Sequence, residues 1–385
     1  MSLRQIILAA LLTNWIMVSC REPYDPQIDQ QDLGILVVEG HIETGEYPSI
    51  IKLSTTSTLN GESNGPSTIS NAEVYIESQS GEIFSLPLTG EGVYSAEHNL
   101  SLNQDYRLHI ELPDKGLYQS KWMTPINTPV IEDIGLTGGD YEDVEVNVST
   151  HGNEEAEFFV WEYEETWIFF PEIISFLRYD ENLDSIVYRI NPEDRIDRCW
   201  KSEYSDKVNV ESSSQYQDDY IFQKHIQTIP YGSEKFSQRY SILVYQRAIP
   251  KDAYDFYEIL RKNSDDTGDI FSPLPSNIGT NVFHQSDENL KAIGFVTAGS
   301  STRKRAFFDR IEVGTWLVDI PYYAGCEIYY DTIPPNEVGE RFNNNIDVPA
   351  MIVDGGPTGI LGYRGASRKC TDCRLRGTNV RPDFW

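Results

Sequence analysis

Between residues 33 and 125, apolar side chains keep returning at every second position, and turn residues interrupt them about once per dozen. Tyr106-Arg107-Leu108-His109-Ile110-Glu111-Leu112 is the clearest run. Successive side chains of a strand point to opposite faces, so Tyr106, Leu108, Ile110 and Leu112 share one face and require a core beneath it. Ile35-Leu36-Val37-Val38 is a continuous buried-strand run, and further short strands read around Ile51 and Leu53, at Glu73-Val74-Tyr75-Ile76-Glu77, at Ile83-Phe84-Ser85-Leu86 and at Val93-Tyr94. Thr44-Gly45, Gly61 to Gly65, Ser80-Gly81, Gly90-Glu91-Gly92 and Asp114-Lys115-Gly116 separate them as turns. No helical period runs through the segment. This pattern fits a small antiparallel β-sandwich of immunoglobulin or transthyretin type. Ser54 to Asn71, rich in Ser, Thr, Asn and Gly, reads as a long exposed loop.

The fold class expected for the whole chain is mainly β. Thr124-Pro125-Ile126-Asn127-Thr128-Pro129 is the natural linker, because two prolines in six residues hold the backbone extended. It divides the sandwich, residues 33–125, from a larger β-rich domain, residues 130–385. In that domain Phe158 to Phe170 reads as a long strand. Phe159, Trp161, Tyr163, Trp167 and Phe169 form a core face interrupted by Glu165. Val160, Glu162, Glu164, Thr166 and Ile168 form an outer face. Tyr240 to Gln246, Ala292 to Thr297 and Phe307 to Val313 also read as strands. Lys251 to Lys262 reads as a short helix, with Ala253, Phe256 and Leu260 at helical spacing.

The first residues carry an address. Arg4 precedes Ile6 to Met17, a run of twelve broken by Thr13 and Asn14. A spanning helix needs about 20 apolar residues, so residues 1–19 read as a signal peptide. The run ends in Met17-Val18-Ser19-Cys20, which is similar to a bacterial lipobox and makes Cys20 the expected lipidation site. Residues 20–32, with Glu22, Asp25, Asp29 and Asp32, read as an acidic tether. Stable anchoring takes two acyl signals and no transmembrane helix. With 31 Lys and Arg against 60 Asp and Glu, the net charge is −29. That charge argues against nucleic acid, whose phosphates require clustered cations.

Export places the remaining cysteines, Cys199, Cys326, Cys370 and Cys373, in an oxidising compartment where an even number favours disulfides. Three connectivities are open. Cys370-Thr371-Asp372-Cys373 has the spacing of a metal or redox site, but no histidine or second such pair accompanies it, and a structural bridge is the better reading. The six histidines, His41, His98, His109, His151, His225 and His284, stand at least eleven residues apart, which leaves no zinc-protease motif. No metal site is therefore expected, and no catalytic residue. Asp265, Thr267 and Asp269 mimic the start of a calcium loop. Ile270 and Ser276 then occupy positions that an EF-hand gives to Gly and Glu, so calcium remains only as a cofactor of irregular acidic loops. Glu162 and Glu164 stand about 7 Å apart on one strand face, a separation glycosidases use, although a solvated sandwich face explains them as well. Asp184-Ser185-Ile186 and Asp331-Thr332-Ile333 match a short O-glycosylation triplet.

Several pieces taken together resemble the Bacteroidota lipoprotein family called domain of unknown function 4249. They are the lipobox with Cys20, Leu36-Val37-Val38-Glu39-Gly40, Gly92-Val93-Tyr94, Ala253-Tyr254-Asp255-Phe256-Tyr257, Gly294-Phe295-Val296-Thr297-Ala298, and Cys370-Thr371-Asp372-Cys373 followed by Arg381-Pro382-Asp383-Phe384-Trp385. Phe295-Val296 departs from the family's usual Tyr-Phe. The resemblance implies an outer-membrane, lipid-anchored, surface-facing protein with a TonB-dependent receptor as partner, and no established activity. The expected role is a non-enzymatic accessory or ligand-capturing subunit. The alternatives are a surface hydrolase acting on glycan or peptide and a structural envelope protein. Cys20→Ala should release the protein from membranes. Fractionation of that variant with the outer membrane at the wild-type level would place the anchor elsewhere.

Overall fold

The computed structural model describes residues 34–56, 67–265 and 279–385. The signal peptide, Cys20, the acidic tether, most of the loop read at Ser54 to Asn71, and Thr267 and Asp269 lie outside the described residues, as does the side chain of Asp265.

The first sandwich forms as its alternation requires. One sheet runs in the order Ala292–Ile293, Leu36–Glu43, Ser49–Thr55, Val93–Ala96, Leu88–Gly90. The facing sheet runs Val282–His284, Gly116–Ser120, Tyr106–Leu112, Glu73–Ser78, Ile83–Ser85. Tyr106, Leu108, Ile110 and Leu112 are all buried, and meet Leu36, Val38, Ile51 and Leu53 of the opposite sheet in one core.

The division at residue 130 needs correction. Val282–His284, Ala292–Ile293 and Val296–Gly299 fall inside the segment assigned to the second domain, yet they complete the first sandwich. Leu36 and Val37 pair in parallel with Ala292 and Ile293, and Gly40 to Glu43 pair with Val296 to Gly299. Val282, Ala292, Val296 and Ala298 share the first core. A parallel neighbour can only arrive through a crossover, and here the intervening chain includes most of the second sandwich. The strand expected at Ala292 to Thr297 is broken at Gly294-Phe295. Gly294 has a φ of +116°, and a Cβ there would stand 1.9 Å from the Val38 carbonyl oxygen, so the break needs glycine.

In the second sandwich, Asp133–Gly138, Val144–His151 and Tyr220–Ile229 form a three-stranded sheet. It covers a sheet ordered Cys199–Tyr204, Phe158–Phe169, Arg239–Ile249, Ser301–Asp309. Asn209–Ser212 extends this sheet along the first half of Phe158–Phe169. Phe159, Trp161, Tyr163, Trp167 and Phe169 point into the core with Val144, Val146, Val148, Ile221 and Ile242. Of the strand expected at Phe307 to Val313, only the part up to Asp309 is strand. Residues Arg310–Val313 make a 3-10 turn closed by a reciprocal Asp309–Glu312 capping box.

Helix Lys251–Asp265 lays Ala253 and Phe256 over Val160, Val210, Ile249 and Phe295. The second face of Phe158–Phe169 is therefore only partly a solvent face. Val160 and Ile168 are buried, and alternation alone cannot distinguish water from a neighbouring element.

A smaller cluster, Leu177, Val338, Phe342 and Tyr363, joins the hairpins Leu177–Asp180/Ser185–Tyr188 and Asp347–Asp354/Ile360–Ser367. Two disulfides, Cys199–Cys373 and Cys326–Cys370, tie this end of the chain down. The two cysteines of the Cys-x-x-Cys element thus bridge to different partners, and Cys373 lies fully inside the second core. After it, Trp200 and Thr378 exchange backbone hydrogen bonds of 2.7 and 3.0 Å. Trp385 stands edge-on to Trp200 and Phe307, and the Arg305 guanidinium lies 3.5 Å from the Phe384 ring centre. Phe384 is 40% exposed, so its burial is partial. Deleting residues 382–385 is expected to destabilise the protein by about 2 kcal/mol, below the cost of fully buried aromatics, and to lower the melting temperature by several degrees. An unchanged melting temperature would show that these rings contribute nothing to stability.

Candidate functional site

The two sandwiches face each other across a cleft. Alternation places Leu36, Val38 and Ile42 in the first core, and therefore turns Val37, Glu39 and His41 outward. Ile50 and Lys52 are turned outward on the neighbouring strand in the same way. These residues meet Glu162, Tyr245, Arg247 and Arg303 from the second sandwich, and Phe256 and Tyr257 from the helix. Gly294 and Phe295 line it as well. Two adjoining cavities of about 490 and 380 Å³ share His41, Ile50, Lys52, Glu162, Ser205 and Arg247, so they form one groove.

His41 is a structural post. Its Nε2 lies 2.9 Å from the Gly299 carbonyl oxygen, and its Nδ1 lies 2.8 Å from the Thr297 hydroxyl. A carbonyl only accepts, so Nε2 donates and Nδ1 accepts from Thr297. Burial, followed by the positive charge of Arg247, lowers the His41 pKa from 6.5 to about 3, against a smaller opposing pull from the Gly299 carbonyl. The ring is neutral at pH 7. Nearby, the buried Glu43 carboxylate accepts from the Gly45 N–H at 2.8 Å, the Ser301 N–H at 3.0 Å and the Ser301 hydroxyl.

The two arginines of the groove are held by rings and a carboxylate. Arg303 stacks between Tyr47, 3.5 Å from its ring centre, and Tyr245, at 4.8 Å. Its buried Nε–H has no hydrogen-bond partner among the described residues. Arg247 binds Glu162 at 2.8 Å, while Glu164 on the same strand face lies 3.8 Å from Arg305. Glu162 and Glu164 therefore share a face as the sequence implies, but each has its own guanidinium, and no water-activating carboxylate pair forms. The aromatic face cannot serve as a sugar platform, since Phe159, Trp161, Tyr163, Trp167 and Phe169 are all closed into the core.

Glu165, the interruption in that face, is buried among the rings. It accepts from the Tyr240 hydroxyl at 2.6 Å, the Lys235 ammonium at 2.6 Å and Gln227 at 3.2 Å. Burial first, then the Glu165 charge, pushes both Tyr163 and Tyr240 above the ordinary tyrosine range.

With Cys370 and Cys373 each bound in a disulfide, neither is a free metal ligand or a redox dithiol. Among the described residues, no three His, Cys, Asp or Glu groups stand close enough to hold a metal ion. No helix among them is long and apolar enough to cross a membrane. Thr332 is exposed and Ser185 half-buried, so both glycosylation triplets lie at the surface. The roles of His41, Arg247 and Arg303 had no motif to betray them. The one local signal that could have found His41 is the parity of the opening strand, which sets Val37, Glu39 and His41 on the face opposite Leu36 and Val38.

Comparison with known families matches residues 21–305 of the 385 to Domain of unknown function (DUF4249). The chain belongs to this family. The match begins directly after Cys20 and spans every residue of the groove. It ends within the edge strand Ser301–Asp309, so the disulfide-tied tail lies beyond it. A search of curated proteins found no match. Three of the segments that carry the family resemblance, Leu36 to Gly40, Ala253 to Tyr257 and Gly294 to Ala298, are separated along the chain, and the fold brings all three to the groove.

His41 makes a prediction about pH. Between about pH 6.5 and 3 the unfolded chain binds a proton at this position that the native chain refuses. Its contribution is therefore complete above pH 6.5 and declines as pH falls, by about 1.4 kcal/mol per unit. His41→Gln should be less stable than wild type at pH 7, and the gap should narrow by about 2 kcal/mol at pH 5. Urea midpoints at the two pH values measure it. A pH-independent gap would mean that His41 titrates normally.

Proposed function

We propose that this protein is a lipid-anchored outer-membrane subunit that captures a ligand or partner in the groove between its sandwiches, beside a TonB-dependent transporter, without catalysing a reaction. The observation that carries the proposal is the convergence on one groove of three family segments that are distant in sequence. The site's chemistry supports binding: guanidinium groups stacked on tyrosines, half-covered aromatics and ion-paired carboxylates suit recognition of a surface. Cys20 with its tether would hold the groove close to a barrel's outer loops. An acidic chain steers basic surfaces toward itself and repels anionic ligands.

Purification of the native lipoprotein in mild detergent, with mass spectrometry of what stays attached, tests the proposal. A TonB-dependent receptor should co-purify, and the Lys52→Glu variant, changed at an exposed groove residue, should lose it while keeping the wild-type melting temperature. The association rate should fall steeply with added salt while the dissociation rate changes less. Retention of the receptor by Lys52→Glu would move docking off the groove. Absence of any transporter component from the wild-type sample would overturn the transport role.

A further inference from the structure

A second cavity, of about 440 Å³, shares no lining residue with the groove. Its walls come from two segments far apart in sequence, Pro192 to Trp200 and Asn379 to Arg381. These segments are fastened together. Trp200 and Thr378 exchange backbone hydrogen bonds, and the Asn379 side-chain amide donates to the carbonyls of Glu193 and Arg195 at 2.8 and 2.9 Å. The Cys199–Cys373 disulfide locks the strand to the tail just before they meet. The pocket is thus preformed, and its volume lies within the usual range for small-molecule sites.

Its charge runs against that of the chain. Residues 364–385 hold Arg364, Arg368, Lys369, Arg374, Arg376 and Arg381 against only Asp372 and Asp383. The cavity itself is lined by Arg195, Arg198 and Arg381, with Glu193 as the one acidic side chain. Arg195 is engaged by Asp197 through two bonds of 2.8 and 2.7 Å, and Arg381 reaches the Trp385 carbonyl oxygen. Arg198 is exposed and has no hydrogen-bond, ion-pair or ring partner among the described residues. Trp200, only 7% exposed, contributes to the wall, and its buried indole N–H has no acceptor among the described residues. Buried donors are nearly always paired. Pro192 and Val380 make much of the remaining lining apolar.

We infer that this cavity binds a small organic carboxylate: the anionic head on Arg198 and Arg381, the apolar body against Pro192, Val380 and Trp200. A planar carboxylate matches the guanidinium fork, and an apolar lining favours a ligand with a hydrophobic body over a bare oxoanion.

The full-length protein is titrated with 4-fluorobenzoate and followed by ¹⁹F NMR. Neutral 4-fluorobenzamide and inorganic phosphate serve as comparison probes. The carboxylate should bind, and bind at least about tenfold more tightly than the amide. Arg198→Gln, which removes an exposed and unpartnered side chain, should weaken it about tenfold or more at an unchanged melting temperature. Arg381→Gln should weaken it too, and its melting temperature separates loss of the tail from loss of the head contact. Affinity weaker than about 10 mM, equal binding of the amide, preference for phosphate, or full affinity in Arg198→Gln would each overturn the assignment.

Discussion

Two of the passages of the chain between its sandwiches, at Ile126 to Thr128 and at Ala298 to Ser301, lie against each other. Ile126 donates to the Ala298 carbonyl at 3.1 Å and accepts from the Ser300 N–H at 3.0 Å. Thr128 bonds Ser300 through both its N–H and its hydroxyl. His41 and Glu43 clamp the returning crossing from the first sandwich through Thr297, Gly299 and Ser301. A Cβ on Gly299 would stand 2.2 Å from the Ile126 carbonyl oxygen, so the crossings can approach only because a glycine lies there. These contacts span separations of 172 to 258 residues. The first sandwich therefore cannot complete its sheets until the chain has passed through most of the second, and such non-local closure makes folding slow.

The groove follows from this arrangement. Two domains joined by one flexible linker reorient freely, and a site between them would be intermittent. Two crossings zipped together, with the opening strand bonded to the return, hold the walls at one separation. Arg303 lies immediately after the later of these passages, on the edge strand Ser301–Asp309, and its stacking on Tyr47 and Tyr245 joins the two sandwiches through one guanidinium. Buried His41 contributes without charge, as a neutral ring with both nitrogens committed.

The far end of the chain uses covalent bonds where the crossings use hydrogen bonds. Cys373 is buried in the second core and bound to Cys199, while Cys370 holds Cys326. A bridge closing a loop of 174 residues restricts the unfolded chain strongly in the loop-entropy picture. Arg376 continues the attachment: it binds Glu234 through two bonds of 2.7 and 2.8 Å, and Glu234 in turn accepts from the Trp167 indole at 3.3 Å. The tail is thereby tied into the aromatic core.

Much of this was legible in the sequence, for reasons of range. The faces of Tyr106–Leu112 and the aromatic face of Phe158–Phe169 could be read because a strand's period is two and needs only its own residues. Family membership could be read from short pieces in a fixed order. The lipid site at Cys20 remains a reading of the sequence, outside the described residues. Tertiary structure alone decided the rest. The return of Val296–Gly299 to Gly40–Glu43 leaves no local mark, because a parallel partner is chosen across some 250 residues. The cysteine pairing was one of three that the sequence allowed. The second face of Phe158–Phe169 looked like a solvent face because side-chain alternation records only that the two faces differ. Whether helix Lys251–Asp265, the first sandwich or water would lie against it was a matter of packing.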